Sequence, residues 1–183
     1  MLDTFNELVA YLKNPVLEKD PNNTPTHRLT KFFHIFLISV ITGIILTPVL
    51  IYIESSGLVN MDDHAMKELA RNFSKAKVLF LTVIVAPLIE ELIFRAPITL
   101  FHSQKAFKIA FYVFAIVFGL VHLTNFTITT NVILLAPILV APQIILGGYL
   151  GFIRVRFGLG WSILLHASYN CLFILFSFAS DFT

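Results

Sequence analysis

The chain has 183 residues, 57% of them hydrophobic and only 13% charged, with a mean hydropathy of +0.83. That balance excludes a water-soluble domain, so lipid is the solvent for most of the surface. Thirteen Lys and Arg against eleven Asp and Glu leave a formal charge of +2, which speaks to membrane orientation and gives no support to nucleic-acid binding.

The N-terminal stretch opens with Asp3 and Glu7 inside it and has no basic start followed by a long apolar run, so no cleaved signal peptide is expected. Phe5, Leu8, Val9 and Leu12 recur at helical spacing and predict a short helix along the membrane surface within an N-terminal interfacial segment, 1–31. Asn14-Pro15 ends it, and a polar run at 20–26 leads to the first span, 32–53. Met66, Leu69, Ala70 and Phe73 predict a second surface helix. A span over about 77–100 follows, and it is anomalous because Glu90, Glu91 and Arg95 lie inside it. Three further spans are expected at about 107–125, 132–153 and 159–180. The fold class is an all-α, multi-pass transmembrane helix bundle of about five spans plus one or two interfacial helices. The whole chain, 1–183, reads as one membrane domain, with its chemistry concentrated in 77–178.

Lys13, Lys19, Arg28, Lys31, Lys105, Lys108, Arg154 and Arg156 fall on one side of this topology, and Lys67, Arg71, Lys75 and Lys77 on the other. The excess places the N-terminus in the cytoplasm by the positive-inside rule. Pro87, three residues before Glu90, should free the carbonyl of Val83. Gly147 and Gly151 have the spacing that permits close helix contact. Cys171 is the single cysteine, so neither an intrachain disulfide nor a Cys-based zinc site is available.

Each charge near the bilayer centre costs about 2.5–3.5 kcal/mol on insertion scales, so Glu90, Glu91 and Arg95 demand compensation. Glu91 and Arg95, at i and i+4, can pair, which leaves Glu90 available as a proton acceptor. His122 shares a helix face with Phe118, and His166 shares one with Asn170. Each group alone reads as packing or interhelical hydrogen bonding. Together they read as a shared polar site. One difficulty is depth: counted from the nearest basic boundary, Glu90 lies roughly 20 Å into the membrane and His166 only about 10 Å.

Peptide hydrolysis needs a base for water, a proton donor for the leaving amine and donors for the oxyanion. Glu90 with His122 suits the first task, and His166 with Asn170 the last. Ser162 and Ser168 lie in or beside the last motif, but neither belongs to a G-x-S-x-G pattern or a Ser-Lys pairing.

The segments EELIFR (90–95), FGLVH (118–122) and HASYN (166–170) resemble the three ordered motifs of the CAAX protease and bacteriocin-processing family of intramembrane proteases, which includes the type II CAAX prenyl endopeptidases. The resemblance implies that Glu90 and His122 activate water, that His166 and Asn170 bind the oxyanion, and that Glu91 and Arg95 support the site. It implies a membrane-associated peptide or lipidated protein as substrate, and no cofactor. A zinc-dependent variant, with Glu90, His122 and His166 as ligands, is the alternative within the same reaction class. From other classes come a non-proteolytic scaffold or immunity protein, and a proton-relaying transporter, although no internal repeat is visible.

Overall fold

The computed structural model describes residues 1–60 and 64–180, and every regular element among them is helical. The helices are α1 (Leu2–Lys13), α2 (Pro25–Ser55), α3 (Ala65–Asn72), α4 (Lys75–Phe80), α5 (Ala86–Phe94), α6 (Gln104–Val121), α7 (Thr130–Leu139), α8 (Ala141–Phe157) and α9 (Leu159–Ser180). Among the described residues, four stretches are long and apolar enough to cross a membrane: Pro25–Ser55, Gln104–Asn125, Thr130–Phe157 and Leu159–Ala179. The protein is an integral, multi-pass membrane protein. Phe33, Ile44, Ile45, Leu134 and Phe176, all exposed, belong to the surface that faces lipid.

Helix α2 begins at Pro25, which starts the helix where a missing N–H is harmless, seven residues before the expected start of the span at 32. The anomalous segment expected over 77–100 is not one uniform helix. Helix α4 passes through a single π turn, Leu81–Val85, into α5, which stops at Phe94; Pro97–Leu100 then forms a 3-10 turn. This composite helix runs antiparallel to α9. Lys75 stacks on the Phe178 ring, Asn170 bonds to Thr82, and Ser162 meets Glu91.

The N-terminal end of the bundle is tied together by polar contacts. Gln104 donates to the Pro15 carbonyl at 2.9 Å, Lys108 to Asn14 at 3.1 Å, and Arg156 to the Glu18 carbonyl at 3.1 Å. Helix α1 is more than a surface float: Leu8 is fully buried with Phe111 and Phe152, while Phe5 stays exposed. At the opposite end Ile53, Val59, Val132 and Leu139 form a separate small core, and the His64 and Phe126 rings meet edge to face at 4.8 Å.

The two glycines of α8 do what their spacing promised. A Cβ at Gly147 would stand 3.3 Å from the Ala115 backbone, and one at Gly151 would stand 2.6 Å from the Phe111 ring. Bare backbone at both positions lets α6 lie close against α8.

Candidate active site in the membrane

Helices α5, α6 and α9 supply the candidate residues. On α5, Leu88, Ile89, Leu92 and Ile93 point outward, Glu91 points inward and is fully buried, and Glu90 lies at the margin with 28% of its side chain exposed. The 100° step between adjacent helix positions makes that division, so the two glutamates serve different surroundings.

Glu91 does not spend itself mainly on Arg95. Its Oε1 accepts from Nδ1–H of His166 at 3.0 Å, while Arg95 Nε stays 3.7 Å away. Its Oε2 meets the Ser162 hydroxyl, which also lies 3.0 Å from the Leu150 carbonyl. The hydroxyl has one hydrogen to give, and the carboxylate is the stronger acceptor. Ser162 stands four residues before His166 on the same face of α9. That i, i+4 spacing is the signal the sequence carries for it.

Arg95 pairs with Glu91 as the i, i+4 spacing expects, and it has a second partner. Its guanidinium carbon lies 3.9 Å from the Phe118 ring centroid, and its two Nη atoms are buried without hydrogen-bond partners. A cation held over an aromatic face and away from water gains about 2 kcal/mol, so Phe118 adds to the ion pair with Glu91, whose charge remains the larger attraction. The Arg95 carbonyl in turn accepts from Arg154 Nε at 3.0 Å, fixing the end of α5 at the basic boundary.

That boundary removes the depth mismatch. Glu90 is near the Arg95 end of its helix, not deep below Lys77, so it lies about 7 Å in from that end and His166 about 10 Å in from the start of α9. The opposite nitrogen of His166, Nε2, is 3.6 Å from Glu90 Oε2. One imidazole therefore stands between two neighbouring carboxylates.

His122 closes α6, and its Nδ1–H donates to the Phe118 carbonyl at 2.8 Å. In the neutral ring this leaves Nε2 as an acceptor. The Phe118 ring touches both imidazoles, with centroid distances of 4.8 Å to His122 and 5.7 Å to His166. Electrostatic interactions link His122 to Glu90, His166 and Arg95.

Asn170 has a structural task. Ala86 N–H bonds back five residues to the Leu81 carbonyl, so in the same register the next donor would serve Thr82; that donor is Pro87, which has no N–H. Asn170 Nδ2 fills the vacancy, donating to the Thr82 carbonyl at 2.9 Å. The carbonyl exposed by Pro87 is thus that of Thr82, one residue before the expected Val83, because the turn is π rather than α. One of the two amide hydrogens of Asn170 remains for other use. Among the described residues, no group of three His, Cys, Asp or Glu side chains is arranged to hold a metal ion.

A family model described as type II CAAX prenyl endopeptidase Rce1-like matches residues 72–172, more than half of the chain. The chain belongs to the Rce1-like family. The matched region spans the composite helix through most of α9 and contains every residue of the polar cluster. Membership makes it a CAAX-endopeptidase-type intramembrane protease in general terms. No curated protein and no solved structure matches it.

Proposed function

We propose that this Rce1-like protein is a glutamate-dependent endopeptidase that cleaves a prenylated, CAAX-like peptide at the membrane. The observation that carries the reading is His166 held between Glu91 at 3.0 Å and Glu90 at 3.6 Å. The buried Glu91 fixes the ring, and Glu90, the partly exposed carboxylate, is left to meet substrate and water. The Glu90 carboxylate and His122 Nε2 are the acceptors for the two protons of the attacking water, with Glu90 as the base. Attack on the scissile carbonyl gives a tetrahedral oxyanion, and the proton taken by Glu90 goes to the leaving amine as the C–N bond breaks. An oxyanion role for His166 requires both ring nitrogens protonated, since Nδ1–H is already donated to Glu91. The free amide hydrogen of Asn170 is the second candidate donor.

The surroundings of Glu90 support this substrate class. Leu88, Ile89, Leu92 and Ile93 flank it and are exposed on the lipid-facing side of α5, so an isoprenoid chain dissolved in the bilayer would lie on α5 and bring its peptide alongside the carboxylate. With the N-terminus in the cytoplasm, as the cation distribution favours, the basic end of the bundle faces the compartment where prenylated proteins are made.

The test is cleavage of a fluorogenic farnesylated CAAX peptide by protein reconstituted in liposomes, beside the same peptide without its lipid, each with and without a zinc chelator. The reading expects turnover that depends on the lipid and survives chelation. Chelator-sensitive turnover would favour the zinc-dependent variant, and equal cleavage of the unlipidated peptide would remove prenylation from the account.

A further inference from the structure

The cavity that stands apart from the carboxylate–imidazole cluster opens at the N-terminal end of the bundle. It has a volume of about 470 Å³ and is lined by Lys19, Arg28, Arg154 and Arg156, with Glu18 as its acidic member. Arg28 lies in the first turns of α2, Arg154 and Arg156 in the last turn of α8, and Lys19 in the linker between α1 and α2. All four stand where spans end, at the level of lipid headgroups.

The nearby acids do not neutralise this set. Lys31 engages both Glu7, at 2.6 Å, and Asp20, at 2.8 Å, and His27 lies 3.2 Å from Asp20. Arg156 approaches Glu7 only to 3.9 Å. Arg28 Nη2 donates to Asn23 and Arg156 Nη1 to the Glu18 carbonyl, and the Nε atoms of both are buried away from the cavity, so the two groups offer it their charge and their remaining Nη hydrogens. A phosphate oxygen is the acceptor a guanidinium matches best. Arg154, whose Nε and Nη2 donate to the carbonyls of Arg95 and Ala96 and to Thr99, adds its charge. Leu17, Val155 and Phe157 supply an apolar wall.

From this combination of cations, guanidinium donors and apolar wall at headgroup level we infer that the cavity binds the phosphate group of an anionic phospholipid. A free inorganic phosphate shares the charge chemistry but would leave the wall of Leu17, Val155 and Phe157 uncovered. The wall and the location favour the lipid. Through Arg154 the site touches the carbonyl end of α5, the helix that carries Glu90.

The experiment is native mass spectrometry of the detergent-solubilised full chain titrated with phosphatidylglycerol or with phosphatidylcholine. It compares wild type with Lys19→Gln and with the double variant Lys19→Gln/Arg28→Gln, and repeats the wild-type titration with inorganic phosphate as competitor. Lys19 is exposed, so its substitution spares the fold, and thermal melting of each variant verifies this. The expected result is preferential retention of phosphatidylglycerol, with affinity falling about fivefold for Lys19→Gln and about thirtyfold for the double variant, from the attraction of each interfacial cation to anionic lipid. Should the double variant not fold, the single variant decides. Equal retention of the two lipids, or unchanged affinity in a folded variant, would overturn the site. Displacement of the lipid by inorganic phosphate at matched concentration would overturn its assignment to lipid.

Discussion

His166 donates from Nδ1 to Glu91 at 3.0 Å, and that bond, rather than the 3.7 Å contact between Glu91 and Arg95, defines what Glu91 is for. Glu91→Gln keeps an oxygen for one donor but removes the charge that holds His166, Ser162 and Arg95 together. Breaking a buried charged partnership from one side costs about 3 kcal/mol or more. The variant is expected to melt several degrees lower and to lose most of its activity. Ser162→Ala leaves the His166 bond in place and should cost only about 1–2 kcal/mol while retaining turnover. Melting curves and peptide cleavage on the two variants check the ranking.

Asn170 and Pro87 are predicted to be energetically coupled. Asn170→Ala orphans the Thr82 carbonyl in a site where water is scarce, at a cost of about 1–3 kcal/mol. Alanine at position 87 would restore the missing N–H, so the same Asn170 substitution made in a Pro87→Ala background should cost much less. A double-mutant cycle in stability measures the difference. Strict additivity would show that the Asn170 amide does not serve that carbonyl.

Gly151→Ala places a methyl 2.6 Å from the Phe111 ring, inside the α6–α8 contact. Overpacking of this kind costs about 1–3 kcal/mol. Gly160→Ala, where no atom lies within 4 Å of an added Cβ, is the matched control and should be near neutral. Thermal melting in one detergent compares them directly.

His64 caps α3 by accepting the Met66 N–H on Nδ1 at 3.2 Å, which requires that nitrogen to be unprotonated. Burial, followed by the nearby Lys67 and His122 charges, holds its pKa below the ordinary 6.5. The unfolded segment therefore takes up a proton first as pH falls. The cap's contribution is fully present above pH 6.5 and is lost as pH drops through the lower, folded value. The protection factors of the α3 amides, which divide out the intrinsic slowing of exchange in acid, should fall on acidification from pH 8 toward 5, and His64→Asn, a cap without a titrating group, should flatten that response.

The sequence was informative where chemistry is local. The FGLVH and HASYN spacings put Phe118 with His122, and His166 with Asn170, on shared faces, as the structure has them. It was incomplete where tertiary partners join a local pair. The i, i+4 pairing of Glu91 with Arg95 is present at 3.7 Å, but His166, which comes from a helix that local spacing cannot see, takes the shorter bond to Glu91, and the Phe118 face at 3.9 Å adds to the arginine's compensation. The π turn was illegible for a related reason. Pro87 announces a missing hydrogen bond, but whether Val83 or Thr82 loses it depends on one extra residue in the turn, and the Asn170 amide that meets the freed carbonyl comes from across the bundle. The apparent depth conflict between Glu90 and His166 came from treating 77–100 as one uninterrupted helix, whereas Arg95 and Arg154 set a polar boundary just beyond Phe94.

The central claim is that Glu90, held near His166 Nε2 and partly exposed, is the base that activates water. Its most direct test is the cleavage rate of reconstituted Glu90→Gln protein, measured alongside its melting temperature. Glutamine keeps the size and hydrogen-bonding capacity of the side chain but cannot accept the water proton, and general-base catalysis accounts for about 10²–10⁴-fold in rate. The account predicts turnover reduced by at least that factor with the melting temperature nearly unchanged. A Glu90→Gln enzyme that cleaves at the wild-type rate would contradict it.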